Sequence, residues 1–164
     1  MGCARVLLAD DLPEIRERLA ELLRDNFDIV GSAQNGQQAM EVATRLNPEL
    51  LVLDISMPVL NGIQVASRLR ESGCRTKIIF LTIHEDRDYI DAAFSVGASG
   101  YVFKSRVTTD LIPALQAALR GQEFTSPFGE HRDNRKSIIS SHAAHPSPRA
   151  KSARSKSEAE VRKA

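Results

Sequence analysis

Five residues spread along this chain carry side chains that together can perform phosphoryl chemistry: Asp10, Asp11, Asp54, Thr82 and Lys104. They close or immediately follow short apolar runs, VLLADD, LLVLD, IIFLT and YVFK. Three carboxylates brought together repel one another unless a proton or a cation intervenes. A few oxygen donors, with positions left for water and substrate oxygens, suit Mg²⁺ better than zinc or a closed calcium cage. A carboxylate beside such an ion and a lysine is placed to accept a phosphoryl group, because both cations offset charge on the transferring group. Asp54, followed at once by proline and glycine punctuation at Pro58 and Gly62, is the candidate nucleophile.

The residues meet only if the apolar runs lie side by side. Runs at 6–9, 29–33, 50–53, 78–81 and 101–103 read as five strands, several apolar on both faces. Between and after them apolar residues recur at steps of three and four, as in Ile15, Leu19, Leu22 and Leu23, or Leu111, Ile112, Leu115 and Leu119, which marks five helices with one stripe each to bury. Strict alternation of strand and helix predicts an α/β fold, a parallel sheet covered on both faces. Ligands of such sheets bind outside the carboxyl ends of the strands, where all five residues fall.

The totals agree with one modest intracellular domain. The chain has 164 residues, 42% of them hydrophobic, enough for one core. Up to residue 128 there are 13 Lys and Arg against 17 Asp and Glu; beyond it there are 9 against 4, an acidic body before a basic tail. Cys3 and Cys74 have neither disulfide-framework nor metal-ligand spacing, and His84 lacks a second soft ligand, which disfavours zinc. No apolar run approaches the roughly 20 residues that span a bilayer, and no secretory leader is evident, so a cytoplasmic location without membrane contact is expected.

In the order LLADD, VLDISMPVLNG, FLTIH and GASGYVFKS, the region 4–124 resembles the receiver domain of two-component response regulators. LTIHED, GASGYVFKS and the later GQEFTSP are most similar to receivers of the LuxR/NarL type, which normally precede a helix-turn-helix output domain. The resemblance implies a doubly wound, CheY-like three-layer sandwich with five parallel strands ordered 2-1-3-4-5. It implies that Asp54 accepts phosphoryl from a sensor histidine kinase or a phosphotransfer protein. Asp10, Asp11, Asp54 and the backbone carbonyl of Ser56 would hold Mg²⁺, Asp10 largely through water. Thr82 and Lys104 would contact the phosphoryl oxygens, and Tyr101 would swing inward as the threonine is drawn to them. Ser56 and His84 stand where receivers tune autodephosphorylation.

Several departures carry expectations of their own. Ile83 replaces the small residue usual after the threonine and is expected to narrow access to the pocket. Ser105 replaces the frequent proline, leaving the Lys104–Ser105 bond either trans or cis at a cost. The domain division expected is a receiver over 1–124 and a basic, disordered tail over 125–164, in which no helix-turn-helix pattern is expected. The resulting expectation is a phosphorylation-controlled switch, not an enzyme acting on an outside substrate, that works by partner binding, with homodimerisation open. Three alternatives stand beside it: a regulator touching DNA through the tail, a truncated relic of a two-domain regulator, and a metal-dependent phosphatase. The last is disfavoured because position 56 is Ser where a DxD pair is needed.

Overall fold

The computed structural model describes residues 2–128. In chain order the elements are β1 (Arg5–Ala9), α1 (Pro13–Leu23), β2 (Asp28–Ala33), α2 (Gly36–Leu46), β3 (Leu50–Leu53) and α3 (Gly62–Glu71). They continue with β4 (Lys77–Thr82), α4 (Arg87–Ser95), β5 (Gly100–Phe103), a 3₁₀ turn (Lys104–Arg106), α5 (Val107–Leu119) and β6 (Phe124–Thr125). All paired strands run parallel in the order β2-β1-β3-β4-β5-β6.

Period-two alternation along these strands gives the molecule two cores. Leu7, Leu51, Leu53, Ile78 and Phe80 face α2, α3 and α4, meeting Ala39, Val65, Leu69 and Ala93. Val6, Leu8, Leu50, Val52, Ile79 and Leu81 face the other way onto Leu19 and Leu23 of α1 and Leu111 and Leu115 of α5. Strands buried on both faces need no polar alternation, which is why they read as unbroken apolar runs.

The helices begin where short polar residues satisfy their first amides. Asn35 accepts from Gln38 N ahead of α2, and Asn61 with Gln64 forms a capping box at α3. Pro13 occupies the first turn of α1, where its missing N–H costs nothing.

The expected order 2-1-3-4-5 holds, with the two-residue β6 added parallel at the β5 edge. The compact unit runs to Pro127, with Phe124–Thr125 paired to β5 and Ser126 buried. From residue 129 onward the expected basic tail lies outside the described residues. Among those described, no helix is long and apolar enough to cross a membrane.

Candidate functional site

The parallel register brings the strand ends to one rim. Asp10 follows β1 and its amide donates to Ala33 O; Asp54 follows β3 and its amide donates to Ala9 O. The backbone ladder thereby seats both carboxylates in the sheet before any side chain is considered. Asp10 and Asp54 are buried while Asp11 is exposed, and one carboxylate oxygen from each of the three lies within 4.8 Å of the others. Asp10 Oδ1 accepts from Leu12 N at 2.9 Å, tightening the turn into α1. Arg16 Nη1 donates to the Asp10 carbonyl at 2.6 Å, a positioning contact the sequence reading missed.

Lys104, the first residue past β5, reaches across β4 into this pocket. Its ammonium donates to Asp54 Oδ2 at 3.1 Å and forms an ion pair with Asp10 Oδ2 at 2.7 Å. The shorter contact makes the Lys104 ammonium the nearest cation to the buried Asp10 Oδ2. Thr82 ends β4 fully buried, its hydroxyl accepting from His84 N at 3.3 Å and keeping its own proton to donate. Ser56 enters through its amide, which donates to Asp54 Oδ1 at 3.3 Å.

Charge balance in the pocket is incomplete. Burial pushes the Asp54 carboxyl up, and the charge of Asp10 adds to this, against the lowering pull of Lys104. Burial alone would lower the Lys104 ammonium, but its contact with Asp10 and the charges of Asp54 and Asp10 outweigh burial and hold it above the ordinary lysine range. One ammonium thus faces three carboxylates. An all-oxygen donor set with two buried members and one solvent-exposed member fits a hard divalent cation of the Mg²⁺ class.

Around the pocket, Tyr101 is fully buried and its hydroxyl donates to His84 O at 2.7 Å. Its side chain thus points inward in this structure. Burial, with the charge of Asp86 adding, pushes the phenol well above the tyrosine range and keeps it a donor. The Lys104–Ser105 bond is trans, as are all described peptide bonds. Ile83 is 69% exposed, standing out from the rim instead of filling the pocket.

The sequence reading assigned His84 no partner. In the structure its ring shares a 2.7 Å hydrogen bond with Ser56 Oγ and stacks on Tyr89 with centroids 4.1 Å apart. The only trace in the sequence is that Ser56 and His84 each stand two residues past a strand-end site residue.

Comparison with known proteins places these observations. A family model described as the response regulator receiver domain matches residues 6–116. The chain is 40% identical over 128 residues to the transcriptional regulatory protein PdtaR of Mycobacterium tuberculosis, covering 77% of this chain and 62% of that one. It is 34% identical over 125 residues to the nitrate/nitrite response regulator NarL of Escherichia coli strain K12, covering 75% and 58%. The chain therefore spans about three fifths of the length of these curated relatives.

Among solved structures, the signal receiver domain of a NarL response regulator from Mycobacterium tuberculosis superposes with a TM-score of 0.71 at 27% identity, over 74% of this chain and all of that one, 100%. A LuxR-family two-component response regulator from Aurantimonas sp. SI85-9A1 gives 0.73 at 29% identity, over 87% and 99%. With the strand order, the acidic rim and the matched span in agreement, the chain belongs to the response regulator receiver domain family.

Proposed function

We propose that the chain is the phosphoacceptor of a two-component signalling system, with Asp54 taking phosphoryl from a phosphohistidine on a sensor kinase or phosphotransfer protein. An Asp54 carboxylate oxygen attacks phosphorus, the P–N bond breaks and the imidazole leaves. Asp10, Asp11, Asp54 and the carbonyl of Ser56 would hold Mg²⁺, which supplies charge neutralisation on the transferring group when bound. Lys104, beside Asp54, would offset anionic charge on the transferring group, and the Thr82 hydroxyl would donate to a phosphoryl oxygen. The single observation that carries this reading is the buried Asp54 carboxylate, 4% exposed, within reach of two further carboxylates and of the Lys104 ammonium at 3.1 Å.

The new dianion would compete for Lys104 and Thr82, and the bond of Tyr101 to His84 O links that competition to the surface around α4 and β5. Phosphorylation then acts by altering a protein-binding surface, and the chain turns over no outside substrate. The alternative of DNA contact through the basic tail falls on residues outside those described. The test is incubation with acetyl phosphate and Mg²⁺: phosphoryl should appear on the wild-type chain and vanish in Asp54→Ala. Label persisting in the substituted protein overturns the assignment.

A further inference from the structure

The turn from β1 into α1 carries two of the three pocket carboxylates, and they are held differently. Asp10 is buried at the strand end, with its amide donating to Ala33 O. Asp11 is exposed and gains little direction from packing. Its place is set by the backbone on either side of it. A peptide unit is planar, so the direction of one carbonyl sets the position of the next Cα. The unit between Asp10 and Asp11 is held by Arg16, whose Nη1 donates to Asp10 O at 2.6 Å. The unit between Asp11 and Leu12 is held by Asp10, whose Oδ1 accepts from Leu12 N at 2.9 Å. With both flanking planes held, the side chain of Asp11 leaves the turn in one direction, and an oxygen of it stands within 4.8 Å of the other two carboxylates.

Arg16 reaches that carbonyl because of where it sits. Its amide donates to Leu12 O in the first turn of α1, and side chains on a helix lean toward its N-terminus. Its stem lies in the cleft between α1 and β2, beside Pro13, Ala20 and Ile29. Leu12, at the cap, supplies no side-chain bond, so Asp10 and Arg16 close the turn. The charge of Arg16 is out of place here. A helix start favours anions, and a cation beside this pocket opposes uptake of another. Among the described residues no ion pair involves Arg16. Its reach and its donor, rather than its charge, account for its position.

We infer that Arg16 is a positioning residue for metal uptake: by holding the Asp10–Asp11 peptide unit, it presents the exposed Asp11 carboxylate to a divalent cation. The inference rests on the metal site of the proposed function. Two effects of the guanidinium oppose each other there, since its hydrogen bond pre-orients a ligand while its charge repels the ion. Repulsion at an exposed position is screened by salt. Loss of an outer contact that orients a ligand typically weakens metal binding by about 10- to 100-fold, so orientation wins.

The experiment titrates Mg²⁺ calorimetrically into the full chain, as wild type, Arg16→Met, Arg16→Lys, Asp11→Asn and the combination of Arg16→Met with Asp11→Asn. Arg16→Met keeps the apolar stem without donor or charge and should weaken uptake by about 10-fold. Arg16→Lys restores a cationic donor and should recover part of that loss. In the Asp11→Asn background Arg16→Met should cost nothing further, because the carboxylate it presents is gone; a merely destabilised fold would lose affinity in both backgrounds. In the metal-free chain, amide exchange at Leu12 should quicken in Arg16→Met. Uptake by Arg16→Met equal to or tighter than wild type, an equal penalty in both backgrounds, or unchanged exchange at Leu12 overturns the role of Arg16 and leaves the metal site standing. A wild-type chain that takes up no Mg²⁺ at millimolar concentration overturns the metal site, and this inference with it.

Discussion

Lys104 Nζ stands 2.7 Å from Asp10 Oδ2 and 3.1 Å from Asp54 Oδ2, so one ammonium is shared between two buried carboxylates and lies nearer the first. Lys104→Met would leave both without their cation. Removing one partner of a buried pair costs about 3 kcal/mol, and here Lys104 is only 17% exposed at its side chain. A divalent cation can restore part of the lost balance. The rise in Tm on adding Mg²⁺ should therefore be larger for Lys104→Met than for wild type. Equal rises in calorimetric melts would show that the ammonium and the metal do not answer the same charge.

Asp54 gives the opposite sign. Its folded pKa is raised, first by burial and then by the charge of Asp10. Folding thus favours the protonated form: the contribution is full below the ordinary aspartate pKa and lost as pH rises through the folded value. Without metal, the fold therefore disfavours the ionised form of this side chain. Asp54→Asn should gain about 1 kcal/mol, or about 4 °C in Tm, at pH 7 in a chelator, with the advantage shrinking toward pH 4. A variant less stable than wild type at pH 7 contradicts this.

What was legible in the sequence follows from periodicity and strand ends. The runs at 50–53 and 101–103 coincide with β3 and lie within one residue of β5, because residues apolar on both faces fit only a covered sheet, and Asp54 and Lys104 follow from the strand ends. What escaped are pairings between polar residues far apart in the chain. Ser56 with His84, 28 residues apart, and Ser126 with Asp110, 16 apart, leave no period to find. The two-residue β6 is too short for one. Asp110, beside the apolar Leu111, is a charged residue that the apolar period does not mark, and it is buried.

Gly62 opens α3 so close to the acidic strand end that a Cβ there would stand 2.2 Å from Asp54 O and 2.9 Å from Ile55 Cα. Both are backbone atoms, so no rotamer change relieves the clash. Gly62→Ala should cost about 3 kcal/mol, an overpacking penalty, and should weaken Mg²⁺ uptake by displacing Asp54. Urea unfolding and a calorimetric Mg²⁺ titration read the two effects, and an alanine variant with wild-type values for both would refute the close approach.

Val59 is held at φ 73° with 74% of its surface exposed. A β-branched residue in the left-handed region is strained, and at this exposure it recovers little through burial. Val59→Gly removes the clash at some entropic cost in the unfolded chain. The net result should be a gain of about 1 kcal/mol, visible as a higher urea midpoint at unchanged slope. A loss would mean that Val59 is held there by contacts worth more than its strain.

Behind β5, Asp110 is buried yet ionised. Burial alone would raise its carboxyl, but hydrogen bonds from Arg106, Ser126 and Thr109 outweigh it and hold the group below the ordinary aspartate range. Ser126 Oγ donates to Asp110 Oδ2 at 2.7 Å while accepting from Phe103 N at 3.2 Å, so one hydroxyl ties β5 to α5 and to the segment after β6. Because the folded pKa is depressed, this stability is present above the ordinary aspartate value and lost as pH falls through the folded one. Ser126→Ala removes both bonds and should cost about 2 kcal/mol at pH 7. The gap between wild type and variant should narrow as pH drops below about 4, because part of the wild-type advantage comes from the ionised carboxylate. Denaturant melts across pH 3 to 7 measure this directly. A gap that stays constant over that range would locate the whole contribution in the Phe103 bond and none in the carboxylate.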